Sequence, residues 1–215
     1  MSRVLIPAEI NSYAEQFTSE ESAVLKALNR ETHLKIELPV MLSGHLQGAL
    51  LQAISHMIRP RRVLEIGTYT GYSALCLAQG MEQDGILHTI DVNEELEDIA
   101  FRYFCQAGLE KKIIQHIGNA VEIIPQIAEE FDLVFIDADK PNYGNYFDLV
   151  LDSVRKGGFL LADNVLYEGE VTLPPDEQSK NARAIHAFNE KVRVDARVEQ
   201  VLLPVRDGIM IMRKL

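Results

Sequence analysis

Hydrophobic and polar positions divide the chain at about residue 60. Before it, the spacing is helical. Thr18-Ser-Glu-Glu21 fits a capping box with Thr18 as N-cap, and Leu25, Leu28 and Leu34 follow as an apolar stripe. Leu38-Pro39 closes that segment, because a residue before proline is pushed out of helical geometry. A second amphipathic helix is expected over Gly44–Ile58, with Leu46, Leu50, Ile54 and Ile58 at intervals of four. From Arg61 the texture changes to short apolar runs separated by helical segments. Strands are expected at 62–66, 86–91, 112–117, 132–137 and 158–162, and helices at 72–78, 94–106, 120–130, 143–154 and 178–194. Two late strands, 198–203 and 209–212, are joined through Pro204 and Asp207-Gly208, a pair suited to a tight turn.

Alternation of strands and helices predicts a Rossmann-like, doubly wound α/β sheet. We expect seven strands, mostly parallel, with one antiparallel strand near the edge and helices on both faces. The whole chain, 1–215, is read as one domain, with helices in 1–60 capping a core in 61–215.

Composition narrows the function. The 215 residues carry a net charge of −11, which disfavours general binding to nucleic acid or to anionic membranes. Residues 38–58 lack Asp, Glu, Lys and Arg, but Pro39, two His, two Gln and two Ser argue against a spanning helix. The first residues reach Pro7 and Glu9 too early for a signal peptide. Cys76 and Cys105 lie in apolar, helix-like stretches and read as buried thiols of a reducing cytoplasm. The expected setting is cytoplasmic.

In open α/β sheets, ligands bind beyond the carboxyl ends of the strands. Four of the first five strand ends carry carboxylates: Glu65, Asp91, Asp137 and Asp163, the last followed by Asn164. The turn Gly67–Gly71 lacks the GxGxxG spacing of a dinucleotide fingerprint, which weakens a nicotinamide dehydrogenase reading. Glu65 would repel a pyrophosphate and suit an ammonium group. Asp91 lies 24 residues after Gly67, where an acidic residue accepts from ribose hydroxyls. Ribose without pyrophosphate beside a cation describes S-adenosylmethionine. Taken alone, the glycine turn is equally a plain strand-to-helix connection.

Asp137, Asp163 and Asn164 converge if their strands are neighbours. An all-oxygen set selects a hard cation, Mg²⁺ first, then Ca²⁺ or Mn²⁺. Asp139 reads instead as an N-cap. Lys140 sits three residues past Asp137. Near a divalent cation the ammonium form of a lysine is disfavoured, which would let it act as a base. His45 reads as a surface or packing residue. No GxSxG elbow or Walker A pattern is present.

Six segments in order carry a family resemblance: Met41–Gly48, Val63–Ser73, Ile90-Asp91, Gly118–Ala120, Phe131–Lys140 with Asn142-Tyr143, and Asp163-Asn164. In these the chain resembles the cation-dependent, S-adenosylmethionine-dependent O-methyltransferases of the caffeoyl-CoA and catechol type. The resemblance implies that Met41 and Ser43 lie where cofactor meets substrate. It implies that Glu65, the Gly67–Thr68 backbone and Ser73 hold the methionine end, that Asp91 takes the ribose and that the Ala120 backbone meets adenine. Asp137, Asp163 and Asn164 would bind metal, with Asp137 also beside the cofactor, and Lys140 would be the general base. Met41, Lys140, Asn164 and Tyr167 would face a phenolic diol, and a homodimer is implied. The chain has Asn119 where many relatives have Asp, and Ala138-Asp139 replace a bulkier pair. Residues 168–180 match nothing specific, which leaves the acceptor open. The alternatives are methylation of a hydroxyuridine in transfer RNA and a cofactor-binding module without catalysis.

Overall fold

In a computed structural model, residues 5–215 are described, so the first four residues of the stretch read against a signal peptide lie outside them. The helices are α1 (Ala8–Gln16), α2 (Ala23–Lys35), α3 (Gly44–Ile58), α4 (Tyr72–Ala78), α5 (Glu97–Gln106), α6 (Ala120–Ile123), α7 (Tyr143–Leu151) and α8 (Lys180–Val194). The strands are β1 (Arg62–Ile66), β2 (Ile86–Asp91), β3 (Ile113–Ile117), β4 (Phe131–Ile136), β5 (Val154–Asp163), β6 (Val198–Leu203) and β7 (Ile209–Lys214). They form one seven-stranded sheet ordered β3-β2-β1-β4-β5-β7-β6. The neighbours from β3 to β5 pair in parallel, and β7 runs antiparallel to both β5 and β6.

Parallel strands are covered on both faces, so their sequences are nearly continuous apolar runs. The period of two then sorts side chains into two cores. Val63, Leu133, Phe135 and Leu161 join the core under α2 to α5, whereas Leu64, Ile66, Val134, Ile136, Leu160 and Ala162 join the core under α7 and α8. The same alternation turns the side chains of Glu65 and Asp163 towards the face covered by α3 and α4.

Register levels the working end of the sheet. Ile66 pairs with both Ile90 and Ile136, and Ile136 pairs with Ala162. The residues immediately after this row are Gly67, Asp91, Asp137 and Asp163. Gly67 has φ +105°, and a Cβ there would stand 1.9 Å from the Asp137 carbonyl oxygen. Glycine is therefore what lets the ends of β1 and β4 approach.

Several local expectations are corrected. The α2 N-cap is Ser22, whose hydroxyl accepts from Leu25 N, while the Thr18 hydroxyl donates back to the Ala14 carbonyl. Thr18 thus closes the preceding turn instead of opening α2, and Leu34 is exposed. In α3 the buried stripe is Gln47, Gly48, Leu51, Ile54 and Ser55, rotated from the leucines at intervals of four. Gly48 is selected because a Cβ would lie 2.6 Å from the Tyr72 ring and 2.9 Å from Cys76 Sγ of α4. The first turn of the fifth helical segment, Glu94–Leu96, is 3-10. The helix expected over 120–130 stops at Ile123, where Pro125 forces a 3-10 turn over Ile124–Gln126. α7 ends at Leu151, and β5 begins already at Val154, because Val154 pairs with Phe131 before an irregularity in the ladder. Cys105 is exposed, unlike the buried Cys76. No helix among the described residues is long and apolar enough to cross a membrane.

Candidate active site

A cavity of about 660 Å³ opens over the levelled strand ends. That is within the range of small-molecule and cofactor sites. Its wall includes Met41 and Ser43 from the segment before α3, and Gly67, Thr68 and Ser73 around the β1–α4 turn. It also includes Asp91, Ala120, Asp137, Lys140, Asp163, Asn164 and Tyr167. Every site residue expected from sequence is thus brought to one cavity wall except Glu65, which lies behind it, fully buried.

Glu65 Oε2 accepts from the Thr89 hydroxyl at 2.6 Å, whereas Oε1 is buried without a partner. Burial pushes its carboxyl up to about 8, against the hydroxyls of Ser73 and Thr89, and the charges of Asp137 and Asp91 add to the rise. Asp91 is held by backbone: Oδ2 accepts from Tyr69 N at 2.7 Å and Oδ1 from Asn93 N at 2.9 Å. Asn119 caps α6 through Val121 N at 3.0 Å.

Past β4 and β5 the polar groups gather around one ammonium. Lys140 Nζ donates to Asp137 Oδ1 at 3.2 Å, to Asn164 Oδ1 at 2.7 Å and to the Tyr143 hydroxyl at 2.7 Å. Tyr143 is buried, and its hydroxyl donates to the Asp163 carbonyl at 3.0 Å, so it presents a lone pair to Lys140. Asp163 is 3% exposed. Burial and the neighbouring Asp137 charge raise its pKa, with Gln47 and the Asn164 N–H opposing. Among the described residues, no three His, Cys, Asp or Glu side chains form a metal-holding group, because the third oxygen here is the amide of Asn164. The donor set, two carboxylates and one amide oxygen, fits a hard cation. The two carboxylates share a single neighbouring ammonium, Lys140, so a cation there would add compensating charge.

Asp139 occupies the N-cap position of the 3-10 turn Lys140–Asn142 but makes no capping bond. Its carboxylate accepts instead from Asn142 Nδ2 at 2.7 Å and from the Tyr146 hydroxyl. His45 accords with a packing role, its Nε2 meeting the Ser19 carbonyl at 2.7 Å. Several residues were missed from sequence. Gln47, Tyr143 and Arg206 bond to the site, and Asp207 accepts from Asn164 Nδ2 at 3.2 Å. Tyr69, Tyr146 and Asn181 also line the wall. A buried Gln on an apolar helix is a legible signal in hindsight, whereas nothing in the Pro204–Gly208 turn marks Arg206. Tyr69, Asn164, Tyr167, Glu168 and Arg206, all on the wall, have φ between 44° and 55°. Left-handed backbone at five non-glycine residues beside one cavity is a concentration typical of functional sites.

A seven-stranded sheet with β7 reversed, with acidic strand ends around a nucleoside-sized cavity, defines a class of Rossmann-like transferase. Comparison with known proteins narrows it. A family model described as O-methyltransferase matches residues 15–215. A caffeoyl-CoA O-methyltransferase of Medicago sativa is 34% identical, the match covering 91% of this chain and 83% of that one. An O-methyltransferase from Bacillus cereus, solved in complex with S-adenosylhomocysteine, superposes with a TM-score of 0.87 at 29% identity, covering 96% and 97% of the two chains. A Podospora anserina methyltransferase, also bound to S-adenosylhomocysteine, gives a TM-score of 0.89 at 25% identity over 100% of both. The chain belongs to the S-adenosylmethionine-dependent O-methyltransferase family.

Proposed function

We propose that the protein transfers a methyl group from S-adenosylmethionine to a hydroxyl of a small vicinal diol, of catechol or caffeoyl type. A divalent cation, Mg²⁺ first, would be held by Asp137, Asp163 and Asn164. The observation that carries the reading is Lys140 Nζ within hydrogen-bond reach of both Asp137 and Asn164 at the cavity wall.

The partnerless oxygen of Glu65 supports a role in receiving the ammonium of the cofactor, with Ser73 and the Gly67–Thr68 backbone around its methionine end. Asp91 would accept from the ribose, and the Ala120 backbone would meet adenine. Met41 and Ser43 would sit between cofactor and acceptor, and Asp137 would face both the cation and the cofactor. When bound, the cation lowers the pKa of an acceptor hydroxyl and the cofactor supplies the methyl. Lys140 would take the hydroxyl proton on the Nζ lone pair that is free once the N–H given to Asp137 is absent, and Tyr143 and Asn164, accepting its other two N–H groups, would hold that nitrogen in place. The bound cofactor would supply its methyl to that oxygen, so the rate would depend on how closely the cavity wall holds the two groups together. Tyr167, whose hydroxyl accepts from Asn181 Nδ2 at 2.9 Å, would stand against the acceptor ring.

Six carboxylates and two cationic side chains line the cavity, which favours a small diol over a hydroxyuridine in RNA. The test is a methyl-transfer screen over catechols, caffeoyl thioesters and hydroxyuridine-containing RNA, with Mg²⁺ or EDTA. Diol methylation that EDTA abolishes is expected, with a loss of about 10²–10⁴-fold in Lys140→Ala. Full activity in EDTA discards the metal role, and transfer to RNA alone discards the acceptor.

The reading extends to a homodimer. α1 buries no residue and leaves Ile10, Tyr13 and Phe17 exposed, an apolar surface that a second copy would cover. A reducing cytoplasm suits the two free thiols.

A further inference from the structure

Gln47 is 1% exposed on α3, 116 residues from Asp163 in sequence, yet its Nε2 donates to Asp163 Oδ2 at 2.6 Å. Its Oε1 accepts from Arg206 Nη1 at 2.9 Å. A guanidinium only donates and a carboxylate only accepts, so the amide of Gln47 has a single orientation that satisfies both. Asp163 Oδ1 accepts from Asn164 N at 2.8 Å. Each carboxylate oxygen therefore has one donor, and rotation about the Asp163 side chain is blocked from both ends. Arg206 is anchored in turn. Its Nη1 also donates to the carbonyl of Leu42 at 3.2 Å and to that of Ser43. A continuous polar path thus runs from the segment before α3, through the β6–β7 turn, to the end of β5.

We propose that Gln47, held by Arg206, is a positioning residue that aims the Asp163 carboxylate at a divalent cation and ties cation affinity to seating of the 42–43 segment. The proposal rests on the reading of Asp163 as a metal ligand. Groups behind a metal ligand orient it, and their removal typically costs about 10–100-fold in metal affinity. Leucine matches glutamine in bulk but donates nothing, so Gln47→Leu leaves the carboxylate packed and unaimed. Arg206→Met removes the lock from the outer end, and its effect is of the same sign and smaller.

The experiment is calorimetric titration of the full chain with Mn²⁺, and separately with S-adenosylhomocysteine, without acceptor. Gln47→Leu should bind Mn²⁺ about 10–100-fold more weakly, and Arg206→Met several-fold more weakly, with S-adenosylhomocysteine affinity of Gln47→Leu within about twofold of wild type. An equal loss for both ligands marks collapse of the cap and overturns the proposal. So does unchanged Mn²⁺ affinity in Gln47→Leu, or in Arg206→Met should Gln47→Leu not fold. Asp163→Asn separates the two readings. Loss of Mn²⁺ there with retention in Gln47→Leu overturns the positioning role and leaves the ligand assignment standing. A wild-type chain that binds no Mn²⁺ overturns both.

Discussion

Glu65 is a carboxyl placed where water cannot solvate its charge, and the consequence can be measured. Its pKa is raised from 4.5 to about 8, so between these values the folded chain holds a proton that the unfolded chain releases. This contribution to stability is complete below pH 4.5 and is lost as pH rises through about 8. A bound ammonium reverses the preference, because it favours the carboxylate. Binding of S-adenosylhomocysteine at pH 7 should therefore release up to about one proton. The release is read from the dependence of calorimetric heat on buffer ionisation enthalpy. Glu65→Gln should abolish the release and weaken binding, and a wild-type chain that releases nothing would show that Glu65 does not receive the ammonium. Sequence alone marks Glu65 as acidic after an apolar run. Its orphaned oxygen and its Thr89 partner come only from the neighbouring strand.

At the scale of elements, the β1–β4 junction and the β2–β3 pair carry predictions of opposite kind. Gly67→Ala would force a Cβ against the Asp137 carbonyl at a φ that alanine resists. We expect a loss of about 3 kcal/mol in chemical denaturation. Between β2 and β3, His88 Nδ1 meets His116 Nε2 at 2.9 Å, and His88 Nε2 is buried without a partner. Burial lowers both pKa values, and for His88 the charge of His116 lowers it further, with Glu129 opposing and Arg62 adding. Depressed histidines favour the fold above their ordinary 6.5, and that stability is lost as pH falls through the lowered values. His116→Gln should flatten the decline of Tm between about pH 6.5 and 5. An unchanged slope would place the acid sensitivity elsewhere.

The elements themselves were largely legible, because apolar runs bounded by turn residues marked β1, β2 and β6 to the residue. What was not legible depended on competition between neighbours. Pro125 ended α6 early, and pairing with Phe131 drew Val154 into β5 against its helical surroundings. That Asp137, Asp163 and Asn164 meet was legible from their places past adjacent strands, and Gln47 left a signal as a polar residue on an apolar helix, but Arg206, contributed by a turn remote in sequence, left none.

For the molecule as a whole, the apolar face of α1 sets a prediction for assembly. Phe17→Glu with Tyr13→Glu places charge on rings whose centroids lie 4.4 Å apart on the surface. Light scattering should show the variant shifted from dimer to monomer, with its circular dichroism retained, and a wild-type monomer would refute the pairing. The sheet allows a different freedom. Because Ile90, Ile66, Ile136 and Ala162 stand level, one residue added inside β4 would exchange the inward and outward faces of the rest of that strand and shift Asp137 out of the row. One residue added between 168 and 180 would leave that row unmoved. Homologous chains can therefore lengthen, shorten or rewrite that stretch while inheriting an unaltered row of strand ends. In such a scaffold, what the enzyme modifies can drift faster than how it does so.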